Sequence, residues 1–380
     1  MNVSYGYLPE QFALETDISK SILHDIQNES ARGFWTLGPW VDRFEEAFAE
    51  KLRVQYAVGV NSGTAALELA LIASGVRPGE RVAVPANSFI ATAGAVVAIG
   101  AEPYLVDVNE DYLFSWDAII DKRNPNRKEW DSTMHLLPVH LTGNVVTNLP
   151  RDYYDGSVFD AAQAIGAEYK GVSVAALGLA ACFSLHPLKN INVWGDGGVV
   201  TTNDESFANE IRLLRNHGLK DRDTVVRPGR NERLHAIQAL VGTHVLKELD
   251  WLTEKRREHA ALYDQLLDGA TGVIIPPRNE DIKQVYHTYV ITVGRRDELV
   301  TWLAQQGIET KVHYPIPIHL QPGYAYLGGR WDDLPNVEWQ SKRIISLPIH
   351  QYLKREQIEY VAERIRYFYD NGVKVSQKSK

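Results

Sequence analysis

Lys189 stands in the run Cys182-Phe-Ser-Leu-His-Pro-Leu-Lys189-Asn-Ile-Asn-Val-Trp-Gly-Asp-Gly-Gly198, and Asp160-Ala-Ala-Gln163 precedes it. An amine and a carboxylate, each closing an apolar run, suit a carbonyl cofactor that carries a pyridine ring. The amine holds the carbonyl as a Schiff base, and the carboxylate keeps the ring nitrogen protonated. Lys189 and Asp160 are the candidates for these roles. Gln163 is placed to reach an oxygen on the same ring. Plainer readings stand beside these. A strand-end Asp often caps the next helix, a Gln three residues on often completes a capping box, and most lysines are solvated surface charges.

Asn61-Ser-Gly-Thr64 lies between the apolar run Tyr56–Val60 and a helical pattern. A helix start offers free N–H groups and the positive end of the dipole, so Gly63 and Thr64 are candidates for a phosphate cradle. Ser184, five residues before Lys189, would add a hydroxyl. Phe89, where a strand gives way to a helix, is either core or a ring that stacks on a bound ring. His186, Trp194, His313, Tyr314 and His319 are candidates to line a substrate cleft, with a packed aromatic or core histidine as the alternative for each. The chain has neither a Walker A motif nor G-x-G-x-x-G, and H-E-x-x-H is absent. Nucleotide hydrolysis, Rossmann dinucleotide binding and a zincin site therefore lack support, and no metal is expected.

Short apolar runs alternate with helical patterns from residue 54. Strands are expected at 56–60, 81–84, 103–107, 135–139, 157–159, 181–184 and 198–201, with helices at 64–74 and 90–99. This order predicts an α/β fold with a mostly parallel sheet flanked by helices. A long helical pattern over 234–268 leads into a strand at 289–293, a helix at 297–306, a strand at 310–313 and a last helix at 354–369. A large domain over 1–245 and a smaller α+β domain over 246–380 follow. The tail 374–380 is expected to fray. Its 380 residues carry a net charge of −8, with no basic block to serve as a nucleic-acid footprint. The single cysteine, Cys182, rules out an intrachain disulfide and fits a reducing cytoplasm. The first residues do not read as a signal peptide, and no apolar run approaches a membrane span.

Beyond these residue-level readings, the chain resembles the DegT/DnrJ/EryC1/StrS group of sugar aminotransferases, within the fold type I superfamily that uses pyridoxal 5′-phosphate (PLP). The likeness runs nearly end to end. It is carried by Gly33-Phe-Trp-Thr-Leu-Gly38, Phe44-Glu-Glu-Ala-Phe48, Asn61-Ser-Gly-Thr-Ala-Ala-Leu67, Val84-Pro-Ala-Asn-Ser-Phe-Ile-Ala-Thr92 and Pro138-Val-His-Leu-Thr-Gly143. Asp160-Ala-Ala-Gln-Ala-Ile-Gly166, Phe183-Ser-Leu-His-Pro-Leu-Lys-Asn190, Arg215-Asn-His-Gly218, His313-Tyr-Pro-Ile-Pro-Ile-His-Leu-Gln321 and Leu347-Pro-Ile-His350 complete it.

The resemblance implies a Schiff base at Lys189, a ring-nitrogen partner in Asp160 and a ring-hydroxyl contact from Gln163. It also implies stacking by Phe89 and phosphate contacts from Gly63, Thr64 and Ser184. Asn231 is implied to reach the phosphate in a neighbouring subunit, so a homodimer with shared active sites is expected. The implied reaction moves an amino group from glutamate, or glutamine, to a keto-sugar, with pyridoxamine 5′-phosphate as the halfway form. Its setting is amino-sugar biosynthesis for a glycan or natural product. Alternatives are a sugar dehydratase, a keto-cyclitol aminotransferase and a non-catalytic regulatory relative. Two departures stand out: Val193-Trp-Gly-Asp-Gly-Gly198 follows the lysine where relatives often carry Thr-Gly-Glu-Gly-Gly, and the stretch 144–156 is too short for the usual crossover helix. A turn or one short helix is expected there.

Overall fold

The computed structural model describes residues 1–375 apart from 31, 34 and 121–133; the tail beyond 375, expected to fray, lies outside them. Three helices open the chain: α1 (Leu8–Gln11), α2 (Asp17–Ser30) and α3 (Pro39–Leu52). The large unit then runs β1 (Tyr56–Val60), α4 (Gly63–Ala73), β2 (Arg81–Pro85), α5 (Ile90–Ala98), β3 (Glu102–Val106), α6 (Trp116–Ile120), β4 (His135–Leu136), α7 (Arg151–Gly156) and β5 (Val158–Asp160). A small hairpin, β6 (Glu168–Tyr169) and β7 (Val172–Ser173), precedes β8 (Ala180–Ser184), β9 (Gly198–Thr202) and α8 (Glu205–Leu214).

β3, β2 and β4 pair in parallel, and β5, β8, β9 and β1 pair side by side. A parallel bridge between Val139 and Asp160 joins the two groups, with the Asp160 N–H on the Pro138 carbonyl and the His140 N–H on the Asp160 carbonyl, each at 2.9 Å. The result is one sheet in the order β3-β2-β4-β5-β8-β9-β1, in which only β9 runs against its neighbours. β1, β2, β5, β8 and β9 are almost wholly buried, which explains their continuous apolar runs, whereas the edge strand β3 is only partly so. The carboxyl ends of β1, β2, β5 and β8 share one edge, where ligands bind in open α/β sheets. One short helix, α7, fills the crossover before β5, as its length requires.

The helical pattern over 234–268 proves to be two helices, α9 (Ala236–Leu246) and α10 (Leu249–Leu267). The break at Lys247 and Glu248 lets α9 bury Val241 and Val245 in the large core while α10 sends Ala260, Tyr263 and Leu267 into the second core. A two-residue interruption without Gly or Pro leaves the apolar period unbroken, so the pattern hides it.

The remaining chain forms β10 (Val273–Ile274), β11 (Ile282–Lys283), β12 (Tyr289–Val293), α11 (Arg296–Gln305), α12 (Pro335–Ser341), β13 (Ile344–Leu347) and α13 (Arg355–Asp370). β10, β12 and β13 make an antiparallel sheet covered by α10, α11 and α13. The strand expected over 310–313 is reduced to a single bridge between Lys311 and Ser346. Pro315 and Pro317, which lack N–H donors, follow it. We propose the domain division near 245 with one amendment: Val3 is fully buried in the second core, so the first residues belong with the C-terminal unit.

Candidate active site

Four of the expected residues meet at the carboxyl edge of the sheet because their strands end there. Ser62 caps α4, its side chain accepting the Ala65 N–H at 3.0 Å. The Ala66 N–H is taken by the Ser62 carbonyl, which leaves the first N–H groups, those of Gly63 and Thr64, outside the helical ladder. Gly63 lies flat against the end of β8: a Cβ there would sit 2.7 Å from Ser184 Cβ and 3.1 Å from Ser184 Cα. Gly198 pairs with both Val60 and Ser184, and a Cβ on it would meet the Ser62 carbonyl at 2.3 Å. The glycine run after Lys189 thus lets β9 close onto the helix start. Ser62 caps the helix, and Gly63 lies directly against Ser184 beside the helix start.

Asp160 is buried at the end of β5. Its Oδ2 accepts the Thr92 hydroxyl at 2.7 Å and its Oδ1 accepts the Ala162 N–H at 3.0 Å. Burial pushes its carboxyl above the usual range, while Thr92, Ala162 and Lys189 favour the charged form. Gln163 is oriented from both ends: its Oε1 takes the Thr142 N–H at 2.8 Å, and its Nε2 lies 3.3 Å from the Tyr314 hydroxyl. Phe89, at the N-cap of α5, is 54% exposed, with Tyr314 6.0 Å away between ring centroids. A solvent-facing aromatic inside this cluster is available for stacking.

The Lys189 amine is pushed down to about 8 by desolvation, against the opposing pull of Asp160. At neutral pH an appreciable share is therefore free base. From beyond β12, His313 lies close enough to feel the Lys189 charge and Tyr314 reaches Gln163. His313 shares a hydrogen bond with Ser346 at 2.8 Å and is held neutral, down at about 4, by burial and by Lys189. Burial raises the Tyr314 phenol, with Asp160 adding to the shift. His287, which the sequence did not point to, also feels Lys189 and is driven well below the usual imidazole range by burial first. It bonds Asn190 at 3.2 Å. Gly143, in the left-handed region at φ 82°, admits this segment: a Cβ there would meet the His287 N at 2.9 Å.

The other expected cleft residues lie elsewhere. His319 is buried against Glu338 at 3.0 Å, and that carboxylate also takes the N–H groups of Asp332 and Leu334. It is a loop-organising core histidine rather than a cleft liner. Trp194 packs edge-on against Phe12 and over the large core, its carbonyl taken by Gln238. His186 is exposed, its Nδ1 accepting the Leu188 N–H. Asn231 is exposed on the loop before α9, its side chain accepting from Arg233 at 2.9 Å. Thr92, Thr142, His287 and Tyr7, whose hydroxyl donates to the Lys189 carbonyl at 2.9 Å, complete the surroundings. Thr92 and Thr142 lay in motifs that the sequence had singled out; His287 and Tyr7 did not.

The donors suit PLP. An acid without a direct cationic partner among the described residues awaits a ring N–H, free N–H groups and hydroxyls suit a phosphate, and a partly neutral amine suits a carbonyl. The fold and this site define a PLP-dependent aminotransferase of fold type I. The profile of the DegT/DnrJ/EryC1/StrS aminotransferase family matches residues 16–366. The chain belongs to that family. It is 37% identical over 362 residues, 94% of this chain and 93% of the relative, to dTDP-3-amino-3,4,6-trideoxy-alpha-D-glucose transaminase from Streptomyces venezuelae. It is 38% identical over 377 residues, 97% of this chain and 99% of the relative, to the pleiotropic regulatory protein of Geobacillus stearothermophilus. The crystal structure of S. venezuelae DesV with a ketimine intermediate superposes with a TM-score of 0.88 at 34% identity, covering 99% of this chain and 100% of that one. Solved sugar aminotransferases of the same fold include PLP and pyridoxamine phosphate forms. Among the described residues no helix is long and apolar enough to cross a membrane, and no cluster of metal-ligating side chains occurs.

Proposed function

We propose that this sugar aminotransferase takes its amino group from glutamate, or glutamine, and delivers it to a keto-sugar through Lys189, in a homodimer with shared active sites. The single observation that carries the reading is the buried Asp160 carboxylate, aimed by Thr92 and Ala162 at the end of β5, within electrostatic reach of Lys189, whose amine burial lowers. Bound PLP supplies a conjugated ring that takes up the electron pair left when a proton leaves the carbon bearing the amine. Lys189 holds the carbonyl and, once displaced by the donor amine, carries that proton on Nζ as base and then as acid. Its lowered pKa matches both duties near neutral pH. Asp160 accepts the ring N–H, fixed in aim by Thr92 and Ala162. Gln163 is held by Thr142 so that its amide faces the ring oxygen, and Phe89 offers a face to the ring. The N–H groups of Gly63 and Thr64 with the Ser184 hydroxyl take the phosphate. His313 and Tyr314 cover the sugar side, the neutral His313 leaving Lys189 as the principal proton carrier.

An exposed Asn231 beside the exposed apolar pair Val225 and Val226 supports a second copy packing on this loop, where Asn231 would reach its partner's phosphate. The protein is proposed to work in the cytoplasm. Wild-type protein loaded with PLP should be converted to the pyridoxamine form by glutamate or glutamine in a single half-reaction, and Lys189→Ala should not. Loaded wild-type protein that neither amino acid converts would overturn the reading. A panel of nucleotide-linked and free keto-sugars, scored by reoxidation of the pyridoxamine form, identifies the acceptor.

A further inference from the structure

The first residues of the chain run from the core of the C-terminal unit to the lysine. Val3 is anchored in the C-terminal unit: its N–H bonds the Gly307 carbonyl at 2.9 Å, and its carbonyl takes the Glu309 N–H at 3.0 Å. The Tyr5 N–H bonds Glu309 Oε2 at 2.9 Å, and His350 bonds the Ser4 carbonyl at 3.3 Å. Tyr7, 5% exposed, stacks on His350 at 5.6 Å, with the Arg256 guanidinium 5.2 Å from its ring. That guanidinium is itself bonded to the carbonyls of Tyr286 and Ile349, so the ring rests on a fixed base. From this base the Tyr7 hydroxyl crosses to the large unit and donates to the Lys189 carbonyl at 2.9 Å. One turn later Gln11 accepts the Asn192 amide at 3.0 Å, and the same Asn192 nitrogen lies 3.1 Å from the Lys189 carbonyl. The Lys189 N–H is held by the His186 carbonyl at 2.8 Å. Both polar groups of the lysine's main chain are therefore fixed, one of them by a side chain 182 residues away in sequence.

We propose that the N-terminal segment belongs to the catalytic site, with Tyr7 as a positioning residue that fixes the main chain from which the Lys189 amine is launched. Because Tyr7 is seated on His350 and Arg256, it ties the direction of that amine to the placement of the C-terminal unit. The inference rests on Lys189 as the cofactor-bearing amine. A merely structural tyrosine would lower stability and leave the lysine's chemistry alone. A positioning one alters how the lysine holds and uses the cofactor.

The test is Tyr7→Phe, which keeps the ring and removes the hydroxyl. Tyr289→Phe is the control, losing a buried phenol bond to Asp264 of 2.6 Å away from the lysine. PLP-loaded proteins are diluted into a PLP scavenger and release is followed by the loss of visible absorbance, alongside thermal melts and donor kinetics. Losing one hydrogen bond predicts release about fivefold faster in Tyr7→Phe and kcat lower by a similar factor, with the donor KM within about twofold. Tyr289→Phe should lower the melting temperature with release unchanged. Equal release and kcat in Tyr7→Phe and wild type would overturn the proposal, as would an equal change in the control. If Tyr7→Phe does not fold, Gln11→Met, which frees Asn192 from the segment, is read the same way: faster release supports the proposal and unchanged release overturns it. Borohydride reduction of loaded wild-type protein separates the two claims. A label on another residue removes the reading of Lys189 itself, whereas a label on Lys189 with unchanged Tyr7→Phe removes only the role of Tyr7.

Discussion

Gly63→Ala isolates the phosphate cradle with a single methyl group. Position 63 opens α4 with an ordinary helical backbone, so alanine meets no conformational penalty and gains slightly in helix propensity. The methyl, however, would lie 2.7 Å from Ser184 Cβ. Ordinary contact begins near 3.4 Å, so the two chains must separate by about 0.7 Å. Ser184 has little room to yield, because its main chain pairs with Gly198. A Cβ on Gly198 would in turn meet the Ser62 carbonyl oxygen at 2.3 Å, so β9 already lies close against the turn before α4. The helix start therefore moves, carrying the N–H groups of Gly63 and Thr64 away from Ser184. Overpacking of this kind costs about 1–3 kcal/mol. If most of that appears only when the cradle must close on a phosphate, PLP affinity falls about 10- to 100-fold. Equilibrium titration of the cofactor-free protein with PLP, followed by absorbance, measures this directly. Gly156→Ala is the reference, since nothing lies within 4 Å of a Cβ there. Unchanged affinity with an unchanged melting temperature in Gly63→Ala would refute the argument that the cradle depends on this contact.

Asp160→Asn should lower kcat roughly 100- to 1000-fold, the scale of losing a preorganised electrostatic partner. The cofactor-free variant should equal or exceed wild type in melting temperature. Burial penalises the Asp160 charge, so wild-type stability is lost relative to Asn as pH rises through its raised pKa. Lys189→Met should differ from wild type in a pH-dependent way when cofactor-free. The folded amine titrates at about 8 against an ordinary 10.5, so the unfolded chain binds more protons between these values and wild-type stability rises across that window. The advantage of Met should therefore shrink in melts taken from pH 8 upward, and a constant gap would refute the lowered amine. His319→Ala should cost about 1–3 kcal/mol by leaving Glu338 underbonded, with the KM for donor and sugar unchanged. A raised sugar KM at wild-type stability would restore His319 to the cleft.

The large unit was legible because its information is local. Each strand of the central sheet is a short apolar run closed by polar or glycine residues, and the candidate site residues sit at those closures: Asn61–Thr64 after β1, Asp160 and Ser184 as the last residues of β5 and β8, and Lys189 five residues beyond β8. The C-terminal unit was legible as elements but not as contacts. His313 and His319 both stand among prolines in one stretch, and no pattern there distinguishes a histidine facing Lys189 from one facing Glu338. His287 and Tyr7 carried no signal, since their role arises only where separate elements meet. The break between α9 and α10 was hidden because both helices keep the same apolar period while turning toward different cores.

The electrostatics of the site make sense only as a set. Burial holds His313 down at about 4 and drives His287 well below the usual imidazole range. Among the described residues Lys189 is the cation whose charge opposes that of the buried Asp160. Yet an amine must be neutral to attack a carbonyl, and at that moment the carboxylate would stand uncompensated in a low dielectric. The raised acid and the lowered amine are therefore one feature. They describe a pocket that pays for itself only when a cationic ring nitrogen lies against Asp160 and releases Lys189 from the role of counter-ion. This accounts for a lysine lowered to about 8 beside a buried acid that is raised, where a simple ion pair would have moved each pKa in the opposite sense. It also explains why the fixed main chain of Lys189 matters. A neutral amine is no longer held by charge, so its direction must come from Tyr7, Asn192 and the turn to His186.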